Sequence, residues 1–344
     1  ALKNVRFLRK ERNKQISSRS VPVSMITCIH NEEHHLPSLL SELSRGNTLH
    51  QYIFVLDGCT DQSASILKKW KNSQDKKNIL ILESPVRQGK KKSIMMALEK
   101  TTGEWIYLRD ADTFSAMFSS VIPPNLPDSD KNPDCVMVAG LVLIRPENTF
   151  ITWFQFYEGW AMQIFSLSGI AGKRPPLIAA ANLMVKKTFF AEQKPYENNF
   201  HIPGGDDMFL LDTVWDKPGS VDADTESILY TYPKKSFFEM IRQRIRWGAK
   251  SGFLKNRYHH QLAFIIFLTN LSVILILTTE LSLPVKVIFL SGKGIIDYLF
   301  LFLSLKTFEL RMKHSALLPS VLIYPFYLVP TAFIALISHV IPKK

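Results

Sequence analysis

Asp110 and Asp112 stand one residue apart in YLRDADT, residues 107–113, directly after the short apolar run of TTGEWI. Carboxylates that close repel each other unless solvent screens them or a cation sits between them. Oxygen donors of this kind suit a hard divalent metal such as magnesium, which takes one or two carboxylates and fills its shell with phosphate oxygens and water. The segment RQGKKK, residues 87–92, supplies positive charge. Gly89 permits close backbone approach, and Lys90 opens a helical stretch whose N-terminus favours an anion. A metal pair plus a basic helix start makes a diphosphate site, whereas Lys91 and Lys92 fit a solvated charge run better. Asp206 and Asp207 close the loop ENNFHIPGGDD, just before the apolar MFLLDTVW. His30, His34 and His35 lack partners at metal-ligand spacing and read as surface or packing residues. A second DAD, Asp222 to Asp224, follows no apolar strand and reads as chance.

These residues need a scaffold. VPVSMITCI, YIFVLD, NILILES and EWIYL read as buried strands, separated by helical patterns that begin near Leu36, Asp61 and Lys90. Strand–helix alternation with short connections implies a parallel, doubly wound α/β sheet, in which ligands bind beyond the carboxyl ends of the strands. Asp57 ends the second strand while Asp110 and Asp112 follow the fourth, so three aspartates gather at one edge. TFITWFQFYEGWAMQIF reads as a helix packed on the sheet, and SFFEMIRQRIRWGAKSGFLK as an amphipathic helix lying at a membrane interface.

The chain has 344 residues, 46% of them hydrophobic, and a formal net charge of +12. The apolar weight lies late. Stretches 261–283, 284–306 and 316–341 approach or exceed the roughly 20 apolar residues that cross a bilayer. Lys286, Lys293 and Asp297 weaken the middle one, although Lys293 and Asp297 can pair at i,i+4. Two spans, with the middle stretch on the surface, would suit Lys343 and Lys344 better. Basic residues crowd positions 3–14 and 242–257, beside the apolar segments. That placement marks the cytoplasmic side and attracts anionic lipid, and no nucleic-acid motif accompanies it. Cys28, Cys59 and Cys135 read as packing thiols in a reducing compartment. The chain opens on Ala1 with no signal peptide, and an upstream segment, removed, is expected.

SMITCIHNEE, VLDGCTDQS, RQGKKKSIMMAL, GEWIYLRDADT, GGDDMFLL and QRIRW occur in the order seen in family 2 glycosyltransferases of the GT-A fold. Over residues 21–260 the chain resembles that family, and the apolar tail is similar to its membrane-attached members. The resemblance implies a Rossmann-like, mostly parallel sheet. It places Asn31, Glu32, Glu33 and Asp57 at the nucleotide, Lys90 at the donor phosphates, and Asp110 and Asp112 on Mg2+ or Mn2+. It makes Asp207 the general base with Asp206 beside it, and puts Asn182, Gln243, Arg246 and Trp247 around donor and acceptor. Leu56, Cys59 and Asp206 depart from the family's usual residues.

The resemblance thus implies a metal-dependent, hexosyltransferase-type enzyme at the cytoplasmic face of a membrane. It would move a sugar, with inversion, from a nucleotide-diphosphate donor, a UDP-sugar first, to a lipid-linked or envelope glycan acceptor. A processive polysaccharide synthase is the alternative, and a non-catalytic nucleotide-binding scaffold a third reading. The expected organisation is a basic juxtamembrane segment (1–20), the catalytic domain (21–235), the interfacial helix (236–260) and the membrane region (261–344).

Overall fold

The computed structural model describes residues 21–45, 49–74, 78–115, 124–126, 132–218 and 220–340. The basic segment 1–20, most of the Pro- and Asp-rich loop, and Lys343 and Lys344 therefore lie outside the described residues. Strands β1 (Val23–Ile29), β2 (Gln51–Asp57), β3 (Ile79–Ser84) and β4 (Trp105–Arg109) form the expected parallel half, in the order β3-β2-β1-β4. Helices α1 (Leu36–Arg45), α2 (Ser63–Asn72) and α3 (Lys90–Leu98) make the crossovers. Both sheet faces are covered, which is why these strands are continuous apolar runs. Met25, Tyr52 and Phe54 pack with Leu39 and Leu43 of α1 and Leu67 of α2. Ile26, Ile53 and Val55 pack with Ile94 and Ala97 of α3 on the other side.

The second half turns the sheet into a mixed one. β7 (Asn182–Lys186) runs antiparallel to β4, and β6 (Met137–Ile144) antiparallel to β7. β8 (Val221–Thr231) runs parallel to β6, and β5 (Thr113–Ser115) antiparallel to β8. The second DAD, Asp222 to Asp224, has a structural place in this half. Both lie within β8, at a bulge where the β6 register jumps from Gly140↔Asp224 to Leu141↔Ile228. Asp224 is buried and accepts hydrogen bonds from the Asn125 backbone N–H at 2.7 Å and its Nδ2 at 2.9 Å.

The aromatic segment is helix α4 (Phe150–Ala171), packed on β6 as expected. Short helices α5 (Lys187–Gln193) and α6 (Asp206–Leu211) follow. α7 (Phe237–Gly248) starts on a capping box between Ser236 and Glu239. Its buried residues, Met240 and Arg244, face α4 and the last helix rather than lipid, while Phe237, Phe238 and Trp247 stay exposed. After a 3₁₀ turn at Ser251–Phe253 come α8 (Arg257–Thr278), α9 (Leu283–Thr307) and α10 (His314–Val340). All three are long and apolar enough to cross a membrane, α8 beginning at Arg257 rather than 261. Lys293 and Asp297 pair along α9. α10 carries Pro319, Pro325 and Pro330 within it.

Candidate active site at the carboxyl edge of the sheet

β4 ends at Arg109, and the turn that follows presents Asp110 and Asp112. That turn is anchored from below. Arg109, fully buried, donates through Nη2 to Glu42 of α1 at 2.7 Å and to the Thr113 carbonyl at 3.2 Å. The other Glu42 oxygen accepts the Ser115 N–H at 2.7 Å, which fixes the start of β5. Thr113 closes the turn by donating its hydroxyl to the Asp110 carbonyl at 2.7 Å.

Lys90 comes to this turn from the first residue of α3. Gly89, at φ +91°, is the N-cap that swings the chain into the helix. The Lys90 ammonium lies 2.6 Å from Asp110 Oδ1 and 2.7 Å from Asp206 Oδ2. Burial disfavours its charge, but the two carboxylates outweigh burial and raise its pKa well above the ordinary lysine value. Asp206 answers in kind: burial opposes its ionisation, and Lys90 still pulls its pKa down. Asp110 is pushed up by burial, with Asp112 and Asp206 adding repulsion against the pull of Lys90.

Asp207 is the carboxylate without that cation contact. Burial first, then the neighbouring Asp206 charge, raise it to about 6, although its Oδ1 accepts the Met208 N–H at 2.8 Å. The pair is delivered by Gly204 and Gly205, at φ +71° and +74°. Lys250, just beyond α7, lies along this turn, so a Cβ on Gly204 would strike its ammonium. Burial lowers the Lys250 pKa, and Asp207 and Arg246 are among the charges that act on it. The end of α7 thus reaches the acidic pair. Lys91 is not the free surface charge expected. It donates to the Asn199 carbonyl and, at 2.9 Å, to Asn199 Oδ1, and burial lowers its pKa to about 8.

The nucleotide-side residues zip two loops together. Asn31, at φ +56°, accepts the Thr60 N–H at 2.8 Å. Glu33 accepts the Gln62 N–H at 2.9 Å, and Glu32 takes His35 at 2.6 Å. Asp57 is buried and uses both oxygens on the next loop, accepting the N–H groups of Gln88 at 2.6 Å and Gly89 at 2.8 Å. It shapes the turn leading into Lys90. Asn182 is the clearest correction. It has no exposed surface, being bonded to the Leu141 and Ser227 carbonyls and to the Tyr107 hydroxyl. It ties β7 to its neighbours, and its side chain cannot line an open acceptor pocket.

On α7, Arg246 and Trp247 are exposed and Gln243 is half-buried. Between Gln243 and Arg246, Arg244 lies within QRIRW but takes no role there from the resemblance. It pairs with Glu158 of α4 at 2.7 Å and holds Gln243 and Trp247. Its spacing of four from Met240 puts both on one face, and that spacing is the signal that could have found it. Glu158, a lone carboxylate among aromatics, is another.

Asp110 and Asp112 fit a hard cation. Asp112 adds repulsion to the upward push that burial gives Asp110, and among the described residues Asp112 Oδ2 accepts a 3.3 Å bond from the Thr231 hydroxyl. Among the described residues no group of three His, Cys, Asp or Glu side chains could enclose a metal. Two oxygens and no third ligand suit a metal completed by phosphate rather than a closed structural zinc site.

Residues 24–190 match the family described as Glycosyl transferase family 2. No curated protein matches the chain. Among solved structures, it is similar to a mannosyltransferase from Pyrobaculum calidifontis, solved with GDP-Man and Mn2+. The TM-score is 0.58 at 15% identity, over 99% of this chain and 96% of that one. Looser likenesses, both at 14% identity, are S. aureus TarS with UDP and a Mycobacterium tuberculosis synthase. TarS gives a TM-score of 0.43 over 92% of this chain and 90% of that one. The synthase, a glucosyl-3-phosphoglycerate synthase with Mn2+ and UDP-glucose, gives 0.44 over 67% and 78%.

Proposed function

Since this chain carries a family 2 glycosyltransferase domain of the GT-A fold, we propose that it is a metal-dependent, inverting sugar transferase. Its donor is a nucleotide-diphosphate sugar. Its acceptor is lipid-linked or part of an envelope glycan, reached at the cytoplasmic face where the basic flanks hold the domain. The observation that carries the reading is the Lys90 ammonium between Asp110 and Asp206, with Asp207 next in the chain. One cation therefore joins the metal turn to the acidic pair.

Asp110 and Asp112 are the residues that would hold Mg2+ or Mn2+, which when bound neutralises charge on the departing nucleotide diphosphate. Lys90 and the N-terminus of α3 add positive charge on the same side. Asp207 accepts the proton of the acceptor hydroxyl. The acceptor oxygen bonds to the anomeric carbon as the bond from that carbon to the diphosphate oxygen breaks, and attack from the opposite face inverts the centre. A base raised to about 6 is still ionised at neutral pH and close enough to it to take a proton efficiently. The loops bearing Asn31, Glu32 and Glu33, shaped with Asp57, receive the nucleoside. Arg246 and Trp247 face the donor and acceptor from α7.

The mannosyltransferase neighbour was solved with GDP-Man, so both guanosine and uridine donors belong in the test. Purified protein in detergent is incubated with UDP-, GDP- and dTDP-sugars, Mn2+ and a membrane lipid extract. Metal-dependent release of one nucleotide diphosphate, lost in Asp112→Ala, is the expected result. Metal-dependent nucleotide binding with no turnover of any donor would favour the scaffold instead.

A further inference from the structure

We infer that Glu158 is a positioning residue for the Gln243–Trp247 segment, and that through Tyr327 it ties the setting of that segment to the seating of the last apolar helix. This rests on the proposed sugar transfer.

Glu158 is the single charged residue between Phe150 and Ala171. Both of its oxygens are used. Oε2 accepts from Arg244 Nε at 3.0 Å and Nη2 at 2.7 Å, and Oε1 accepts the Tyr327 hydroxyl at 3.0 Å. The side chains of Arg244 and Glu158 are only 6% and 7% exposed. Three elements meet there: α4 on the catalytic sheet, α7, and α10. Phe154, Met240 and Tyr327 pack around the junction.

A buried ion pair is a poor way to add stability, because desolvation offsets most of its attraction. A guanidinium fork adds direction instead. Arg244 spends its remaining faces on the segment itself, donating to Gln243 Oε1 and lying 4.5 Å over the Trp247 ring. Turning α7 about its axis would therefore break the Glu158 bonds and re-aim Gln243 and Trp247 together. It would also move Lys250 along the Gly204–Gly205 turn, beside Asp206 and Asp207. Glu158 holds α7 at one setting, and α10 contributes an oxygen to that setting.

The test uses the full chain in detergent, labelled with 5-fluorotryptophan, the Trp247 resonance being identified by its loss in Trp247→Phe. Glu158→Gln and Tyr327→Phe are both expected to shift that resonance and to lower kcat, on the order of 10–100-fold for a small misplacement. Affinity for nucleotide with Mn2+ should stay unchanged. Tyr327→Phe removes one oxygen and keeps the volume, so it reads the link even where Glu158→Gln folds poorly. An unmoved Trp247 resonance in the variants would overturn the inference. So would a fall in kcat matched by an equal loss of nucleotide affinity, the pattern of general loosening. A wild-type chain that transfers no sugar would fail the proposed function alone, since the resonance shift is read without turnover.

Discussion

In the proposed transfer, Lys90 and Asp207 are the two residues on which the chemistry turns. Asp207 acts only when ionised, and burial with Asp206 raises it to about 6. Transfer rate should therefore climb as pH rises through about 6 and fall away below it. Asp206→Asn removes the adjacent negative charge, so in a pH profile of kcat/KM the rising limb should move to lower pH. A limb that stays in place would remove Asp206 from the tuning of the base. Lys90→Met leaves Asp110 and Asp206 without their shared cation and should weaken nucleotide binding, as read by calorimetry. Asp110, Asp112, Lys90 and Asp207 stand out as candidates in the sequence because each sits in a short local string. The Lys90–Asp206 pair is not, since it joins residues far apart in sequence that only the closed sheet brings together. Asn182 departs from its expected place for the same reason: its strand pairing, not its motif, decides what it touches.

Among the elements, the metal turn depends on α1. Arg109 and Glu42 are both fully buried, and removing one partner strands the other charge. Glu42→Ala should cost about 3–5 kcal/mol, seen as a lowered melting temperature, and should weaken Mn2+ binding as the Asp110–Asp112 turn loosens. Gly58, at φ +60°, is a second structural constraint. A Cβ there would lie 2.8 Å from the Val86 carbonyl carbon and closer still to the Arg87 nitrogen, both backbone atoms that cannot step aside. Gly58→Ala should displace the 86–89 loop and lower nucleotide affinity while Mn2+ still binds. The four parallel strands are readable because burial on both faces makes them uninterrupted apolar runs. β5 is three residues long, and β8 mixes aspartates with apolar residues around a bulge. Neither carries a period that sequence reasoning can use, so the mixed half of the sheet emerges only from the fold.

The whole molecule is a mixed sheet built onto its apolar helices. Trp160 of α4 donates to Ser304 of α9 at 2.8 Å, and Tyr157 to the Lys313 carbonyl at 3.1 Å. Phe308 stacks edge-on against Trp160. Truncation before Arg257 would bare this aromatic face, and the fragment should aggregate in size-exclusion chromatography where the full chain in detergent stays monodisperse. The full chain should also remain in the membrane pellet through an alkaline carbonate wash, given three helices long enough to cross. The apolar tail is plain in the sequence, but its seating on α4 is not, because nothing local marks which face of an aromatic helix meets a span. In the proposed reaction the metal turn binds the donor and the acidic pair drives the transfer. Nucleotide affinity with Mn2+ and sugar transfer, measured in the same preparations of Asp112→Ala and Asp207→Asn, separate those two roles. Asp112→Ala should lose both, whereas Asp207→Asn should keep nucleotide affinity and lose transfer. Transfer at the wild-type rate by Asp207→Asn would contradict the assignment of Asp207 as the base.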